Sequence, residues 1–408
     1  MVTICDAIMG SGKTTAAIQY MNEHPDKRFI YITPYKSEAD RIQAQCPELN
    51  FKRPKHQVTQ WSTELIASGE NIASTHTAFK LYTPEIKELI RERGYTLIID
   101  ESIDLMEELD FSVGDLNTCI RAGYVKIEDS EIKLIDDSYS GDDTNYKKFF
   151  SILRCRDLLR FKEGSDILYY WLIPTDLMLA FDDVIIMTYM FEHQELSVLL
   201  KSGGVEYTYI GLEKCGDTTR FKEGGTYIPE YTKSLRDKVH VLDNEKMNSV
   251  GYGDFALSMN WFQKPENSDK VQKLKNNIYN FFTNIAGVGS DQRMWSTYMN
   301  SKSKLKGKGY SNSFVRFNAR AENGYGNRTA LVYALNVYMN VGRKLYLTSR
   351  GTEIDDDRYA LSTMVQWIWR SAIRNGQDVY IYVPSRRMRT LLINWMNELA
   401  EGGCGCET

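Results

Sequence analysis

No apolar run in this chain approaches the ~20 residues that a helix needs to cross a bilayer, and no charged-then-apolar leader opens it. The expectation is a protein that starts at Met1, has no membrane partner and works in the cytoplasm, that of a bacterial host if phage-encoded. Cysteine pairs at metal-ribbon spacing are also missing. The 7 cysteines are scattered at positions 5, 46, 119, 155, 215, 404 and 406 with no C-x-x-C pair, which argues against a zinc ribbon and for reduced thiols. Excess charge is lacking too, with 50 Lys+Arg against 54 Asp+Glu. Any nucleic-acid contact must therefore come from a local basic surface. An Asn-Lys-x-Asp signature is absent, which disfavours a guanine-specific GTPase, and no internal repeat is found.

What is present suits a globular protein of two domains: 408 residues, 42% hydrophobic and 25% charged. Residues 1–100 alternate short apolar runs with amphipathic stretches. VTICDA (2–7), RFIYIT (28–33) and YTLIID (95–100) read as buried strands, with helices at about 13–22, 37–45 and 76–92. Such alternation specifies a parallel sheet covered by helices. Residues 102–183 are read as a mostly helical insertion, VIIMTY (184–189) as a further core strand, and 201–237 as an inter-domain connection. The second half repeats the pattern. KVHVLD (238–243), RMWSTY (293–298), SFVRFN (313–318) and DVYIYV (378–383) read as strands, with helices near 269–286, 327–340, 359–375 and 385–400. The expected fold class is α/β, with domains at 1–195 and 196–408.

AIMGSGKTT (7–15) follows the first strand and opens a helix, the context of a phosphate-binding P-loop, or Walker A sequence. Gly10 and Gly12 let the backbone wrap phosphates with its N–H groups, and the helix presents its positive end there. Ala7, Met9, Ser11 and Thr15 complete the nucleotide-binding loop. Lys13 would reach the β- and γ-phosphates of ATP and Thr14 would ligate Mg²⁺. TLIIDES (96–102) ends a strand in two carboxylates, a Walker B sequence. Asp100 would hold metal-bound water, and Glu101 would act as general base on the attacking water.

The spacing of these two motifs resembles that of superfamily-two, DEAD/DEAH-like helicases and translocases. The resemblance implies two tandem P-loop (RecA-like) domains, parallel sheets flanked by helices, with DNA the first partner to expect and RNA the second. YITPYKSEADRI (31–42) is similar to the family's Thr-Pro motif and NIASTHTAFK (71–80) to its Thr-rich motif, which implies nucleic-acid contact at Thr33, Pro34 and Thr75. VIIMTYMF (184–191) stands where the family has Ser-Ala-Thr, with Thr188 and Tyr189 departing from it. QWIWRSAIRNG (366–376) resembles the Gln-x-x-Gly-Arg-x-x-Arg motif, with Gln366, Arg370 and Arg374. Two arginines a turn apart on one helix face would act as fingers on a γ-phosphate. Trp369 replaces the motif's glycine, and Arg374 falls four residues after Arg370. Gly351 and Asp355 fit a Thr…Gly-x-Asp motif loosely. Residues 314–340 resemble helicases of tailed bacteriophages, which implies cleft positions for Asn318, Arg320 and Asn323.

WSTYMNSKSKLKGKGY (295–310) places Lys302, Lys304, Lys306 and Lys308 in alternation. On an extended, glycine-flanked segment they would point one way and neutralise phosphates. Trp295, Tyr298 and Tyr310 would stack on bases. FKRPKH (51–56) with Trp61 is a second basic candidate. Three other readings share the P-loop. One is a thymidine-kinase-type enzyme, which lacks its zinc ribbon here. Another is a terminase-like packaging ATPase with a nuclease built on Asp355, Asp356 and Asp357. The third is a nucleotide-gated binding protein without turnover.

Overall fold

The computed structural model describes the chain apart from residues 55–57, 105, 137, 140, 142–145, 164–165, 174, 319–323, 350, 352–354 and 403–408, and apart from the side chains of 161–163 and 166. Its contacts divide the chain into two units. The first comprises Met1–Asp6, Lys13–Gly225 and Asn340–Ile354; the second comprises Ala7–Gly12, Thr226–Met339 and Asp355–Thr408. The expected division at 195/196 thus moves to Gly225, and two segments leave the unit of their sequence neighbours.

In the first unit, β1 (Val2–Asp6), β2 (Phe29–Thr33), β3 (Ile72–Thr75) and β4 (Thr96–Asp100) come first, linked by helices such as Lys13–Glu23 and Lys36–Gln45. Next come β5 (Met106–Leu109), β6 (Val125–Glu128), β7 (Glu131–Leu134), β8 (Asp157–Glu163) and β9 (Asp166–Leu172), then β10 (Asp183–Thr188) and β11 (Tyr207–Tyr209). The main sheet has the order β11-β1-β10-β4-β2-β3 and is parallel throughout. Every residue of β2 is buried, as are Thr96–Ile99 of β4 and Val184–Thr188 of β10. Such strands have both faces covered, which is why they read as unbroken apolar runs. Local signals set the helix ends. Thr83 caps Pro84–Arg93 by accepting from the Ile86 N–H at 3.3 Å, Pro84 occupies its first turn, and Gly94 ends it with φ +67°.

The segment between β4 and β10 is not the mostly helical insertion expected. It is an antiparallel sheet of order β5-β9-β8-β7-β6 with two helices, Val113–Arg121 and Lys147–Cys155. It carries its own core, in which Leu116, Phe149, Phe150 and Tyr169 are buried together and Phe111 stacks on Phe149 at 4.1 Å. Nor is 201–237 merely a connection. It supplies β11 and the antiparallel hairpin β12 (Gly211–Cys215) and β13 (Thr218–Lys222), whose Phe221 meets Tyr20 of the helix Lys13–Glu23 edge-on at 6.1 Å.

The second unit holds β14 (Val239–Val241), β15 (Arg293–Ser296), β16 (Ala330–Tyr333) and β17 (Val379–Tyr382) in the parallel order β14-β17-β16-β15. Two expectations fail here. The expected helix at 327–340 is β16, followed by residues 334–339 without regular structure, and the expected strand at 313–318 forms only a bridge from Phe314 to Trp295. Among the described residues no helix is long and apolar enough to cross a membrane.

Candidate functional site

Within the first unit, β10 lies between β1 and β4, so the helix after β1 and the end of β4 flank one strand. This brings Thr14 and Asp100 together: the Thr14 hydroxyl donates to Asp100 Oδ2 at 3.2 Å. The Tyr31 hydroxyl donates to the same oxygen at 2.7 Å, and His76 Nε2 lies 3.0 Å from the Asp100 carbonyl oxygen. Burial raises the Asp100 carboxyl from 3.8 to about 6, reinforced by the Glu101 charge and opposed by the Tyr31 hydrogen bond and Lys13. Lys13 begins the helix beside it. Burial lowers its pKa, while the Cys5 thiol and the carboxylates of Asp100, Asp6 and Glu101 act the other way.

Glu101 adopts φ +63°, a left-handed conformation that only glycine takes without strain. Its N–H donates to the Met187 carbonyl of β10 at 2.9 Å, so the sharp turn after β4 is pinned by the neighbouring strand. Asp6 was not singled out in the sequence. Its carboxylate accepts from the Met190 and Phe191 N–H groups at 2.8 and 2.7 Å and fixes the turn after β10. Tyr31 was also missed, since an aromatic inside a buried strand looks like core. Asp6 did carry a signal: a carboxylate at the end of an apolar strand, directly before the glycine loop.

The loop Ala7–Gly12, between β1 and the helix Lys13–Glu23 in the chain, groups with the second unit. Gly10 and Gly12 have φ +78° and +92°, and the Ser11 N–H donates to the Ile8 carbonyl at 3.3 Å. Ser11 Oγ is buried and has no hydrogen-bond partner among the described residues. Within this unit the Tyr231 hydroxyl donates to the Met9 carbonyl, and Trp369 packs against Tyr231 with ring centres 5.0 Å apart. A Cβ on Gly10 would stand 2.9 Å from Trp369 Cζ2. The tryptophan that replaces the family's glycine therefore packs on the loop.

Other expected residues are placed differently. Asp355 caps the helix Asp356–Ile368 by accepting from the N–H groups of Asp357 and Arg358, and Gln366 donates to Ser362 Oγ at 3.2 Å. The helix stops at Ile368, whose carbonyl accepts from the Ser371 hydroxyl at 2.6 Å. Arg370 lies beyond that end and Arg374 in the 3₁₀ turn Ala372–Asn375, so they do not share one continuous helix face as expected. Asp357 pairs with Arg387 at 2.6 Å. Among the described residues, no group of 3 or more His, Cys, Asp or Glu is arranged to hold a metal.

The hydroxyls of the Thr-rich motifs serve local turns. Thr75 Oγ1 accepts from the Ala78 N–H at 3.3 Å and the buried Thr33 Oγ1 from the Tyr35 N–H at 3.4 Å, with Pro34 between. Thr15 is half-buried on its helix. Thr188 exchanges hydrogen bonds with the buried Gln194 at 3.0–3.1 Å.

The lysine tract is not extended. Lys302–Leu305 is a helical turn, Lys304 donates to the Phe262 carbonyl at 2.5 Å, and Lys302 sits 4.3 Å above the Phe314 ring, while Lys306 and Lys308 are exposed. Trp295, Tyr298 and Tyr310 are buried and hydrogen-bonded to main-chain carbonyls, so they are core rather than base-stacking surfaces. Arg53 pairs with Asp40. Lys55, His56, Arg320, Asn323, Cys404 and Cys406 lie outside the described residues.

Parallel sheets flanked by helices in both units, with a glycine loop and a Thr–Asp pair, make this a two-domain α/β protein. The chain superposes on an XPD apo structure with a TM-score of 0.53 at 13% identity, covering 98% of this chain and 95% of that one. The S. tokodaii Xpd4 structure gives 0.49 at 11% identity over 96% and 93%. By sequence the chain belongs to the YonV family. It is 36% identical over 409 residues to the SPbeta prophage-derived uncharacterized protein YonV of Bacillus subtilis (strain 168), covering 97% of this chain and 98% of that one. Residues 233–396 match the YonV C-terminal Rossmann-like domain.

Proposed function

We propose that this protein is a nucleic-acid-dependent ATPase of the helicase or translocase type. The observation that carries the reading is the Thr14 hydroxyl against the Asp100 carboxylate at 3.2 Å, beside Lys13. A hydroxyl and a carboxylate converging on one point are the hard oxygen donors that Mg²⁺ takes alongside phosphate oxygens and water. The buried, unpartnered Ser11 hydroxyl and two left-handed glycines suit a loop that closes on an anion. Lys13 would bind the β- and γ-phosphates of ATP, and Glu101 would orient and deprotonate the attacking water. Bound Mg²⁺ would supply neutralising charge at the phosphate oxygens. Gln366, Arg370 and Arg374 keep the γ-phosphate-sensing role that the helicase resemblance implies, and Lys306 and Lys308 that of phosphate contacts. The helicase-fold likeness and the prophage relative support DNA as the first polymer to test, with RNA second.

The deciding experiment is the ATPase rate with single- and double-stranded DNA and RNA at two salt concentrations. Stimulation by at least one polymer is expected, weakening as salt rises. A rate indifferent to every polymer would leave only nucleotide hydrolysis and end the motor reading.

A further inference from the structure

Phe255 is 71% exposed, more than any other aromatic side chain among the described residues. Its loop is held unusually firmly. Asn336, itself fully buried, donates from its backbone N–H to the Leu257 carbonyl at 2.9 Å, and from Nδ2 to the carbonyls of Asp254 and Ala256 at 2.9 and 3.2 Å. The Tyr338 hydroxyl donates to the Asp254 carbonyl at 2.9 Å. Leu257 is forced to φ +64°, a strained conformation for a branched residue, and its side chain is buried. A backbone strained and fixed on several sides, with an aromatic ring held into solvent, points to function.

Behind Phe255 lies Tyr338, with ring centres 5.8 Å apart, and behind Tyr338 the Arg387 guanidinium, 4.3 Å from its ring centre. Arg387 also donates to Asn336 Oδ1 and the Val337 carbonyl, so the same cation braces the loop. Beside this stack is a cleft of about 210 Å³ that Asp254, Arg386 and Thr390 help to line. Arg386 pairs with Asp254 at 3.0 Å, but both side chains are well exposed, and an exposed pair exchanges readily for a stronger anion. Tyr338 follows β16 and Arg386 follows β17, which places them past the carboxyl ends of parallel strands, where open α/β sheets bind ligands.

We propose that Phe255 is a base-stacking post for an unpaired nucleic-acid strand, with Arg386 taking an adjacent phosphate. This rests on the nucleic-acid-dependent reading above and assigns that polymer a contact the lysine tract does not supply. A single strand is the occupant because its bases are free to stack on a projecting ring, whereas duplex bases are covered by their neighbours.

The test is equilibrium binding of labelled oligothymidylate and oligouridylate, one arm each for DNA and RNA, to the full chain. Phe255→Ala should weaken binding of at least one strand about tenfold, the low end of one stacked base, and Phe255→Trp should restore it. An abasic strand of equal length and charge should bind wild type and Phe255→Ala alike. Arg386→Ala should lower the salt dependence of binding, which Phe255→Ala should leave unchanged. If the wild type binds strands and Phe255→Ala binds them equally well, or loses the abasic strand too, the stacking post is overturned and the ATPase reading stands. If the wild type binds neither strand, the stacking post is overturned, and the ATPase rate with duplex polymers decides the nucleic-acid-dependent reading separately.

Discussion

The Thr14 hydroxyl meets the Asp100 carboxylate at 3.2 Å although 86 residues separate them. Sheet order explains the meeting, because β10 lies between β1 and β4 and the chain positions following both strands emerge on the same edge. Asp100→Asn and Thr14→Val should each reduce Mg²⁺-dependent ATP hydrolysis by at least about 100-fold, since groups that only orient a metal's ligands already cost up to about 100-fold. A magnesium titration of the ATPase checks this: the half-saturating concentration should rise sharply in both variants. An unchanged magnesium dependence would remove the pair from the metal site.

Asp100 also makes a stability prediction. Its folded pKa of about 6 lies above the ordinary 3.8, chiefly because burial penalises the charge. The protonated form is thus favoured by folding. That contribution is fully present below pH 3.8 and is lost as pH rises through 6. At pH 8 the nucleotide-free protein therefore holds an unfavourable carboxylate, and Asp100→Asn should raise its stability by at most about 3 kcal/mol. Urea denaturation at pH 8 and pH 4 measures the difference. The gain should vanish at the lower pH, and a gain of equal size at both would mean burial of this charge is not its source.

Glu101 separates strain from chemistry. With φ +63° it stands in a conformation that suits glycine, so Glu101→Gly should stabilise the fold by about 1 kcal/mol. As the proposed general base it should also be indispensable, and both Glu101→Gly and Glu101→Gln should lose at least about 100-fold in turnover. Glu101→Gln should still bind ATP, whereas Lys13→Ala should lose binding and turnover together. Thermal melts and nucleotide-binding titrations on the same preparations read both effects. Full turnover in Glu101→Gln would reassign the base.

The strands that flank this site were legible because each is buried on both faces, so β2, β4 and β10 stand out as apolar runs with definite ends. The glycine loop was legible for a related reason: its residue types are dictated by backbone shape. The insertion was not. β6 and β7 have four residues each and are largely solvated, too short to show a period of two, while its two helices are amphipathic and draw the eye. Residues 327–340 misled for the opposite reason. A continuous apolar stretch fits a buried strand and a buried helix equally well, and ALVY is the strand. The break after Ile368 is fixed by hydrogen bonds that no periodicity reports: the Ser371 hydroxyl and N–H both donate to the Ile368 carbonyl, and the Ala372 N–H turns to the Arg328 carbonyl. Tyr31 shows the last limit, since its hydroxyl bond to Asp100 exists only once distant strands pair.

Gly10 is constrained twice within the second unit, by φ +78° and by Trp369 Cζ2 lying 2.9 Å from where a Cβ would be. Gly10→Ala should therefore destabilise by about 1–3 kcal/mol, from left-handed strain and overpacking together. Adding Trp369→Ala should relieve the overpacking but not the backbone strain. The cost of the double variant should accordingly lie between that of Trp369→Ala alone and the sum of the two single costs. A denaturation cycle across the four proteins gives the coupling, and strict additivity would mean that the ring does not press on the loop.

Arg343 and Glu195 form an enclosed ion pair at 2.8 Å, with the Glu195 side chain only 6% exposed. Arg343 lies on the helix Val341–Ser349, which reaches the first unit from late in the chain, and Glu195 begins the helix Glu195–Ser202. Gly342 packs against the Tyr170 ring, whose hydroxyl donates to Asn340 at 2.8 Å, so the returning helix has both a polar and a steric anchor. Removing one member of a buried pair leaves a charge without its counter-ion, so Arg343→Met should cost about 3–5 kcal/mol. Replacing both, with Glu195→Gln added, should recover much of that loss, because no buried carboxylate is then stranded. Urea unfolding of the three variants tests this. Protease cleavage confined to the segment around the helix Val341–Ser349 in Arg343→Met would show that the loss is local undocking, and a double variant no more stable than Arg343→Met would mean that the pair's charge is not what holds the helix.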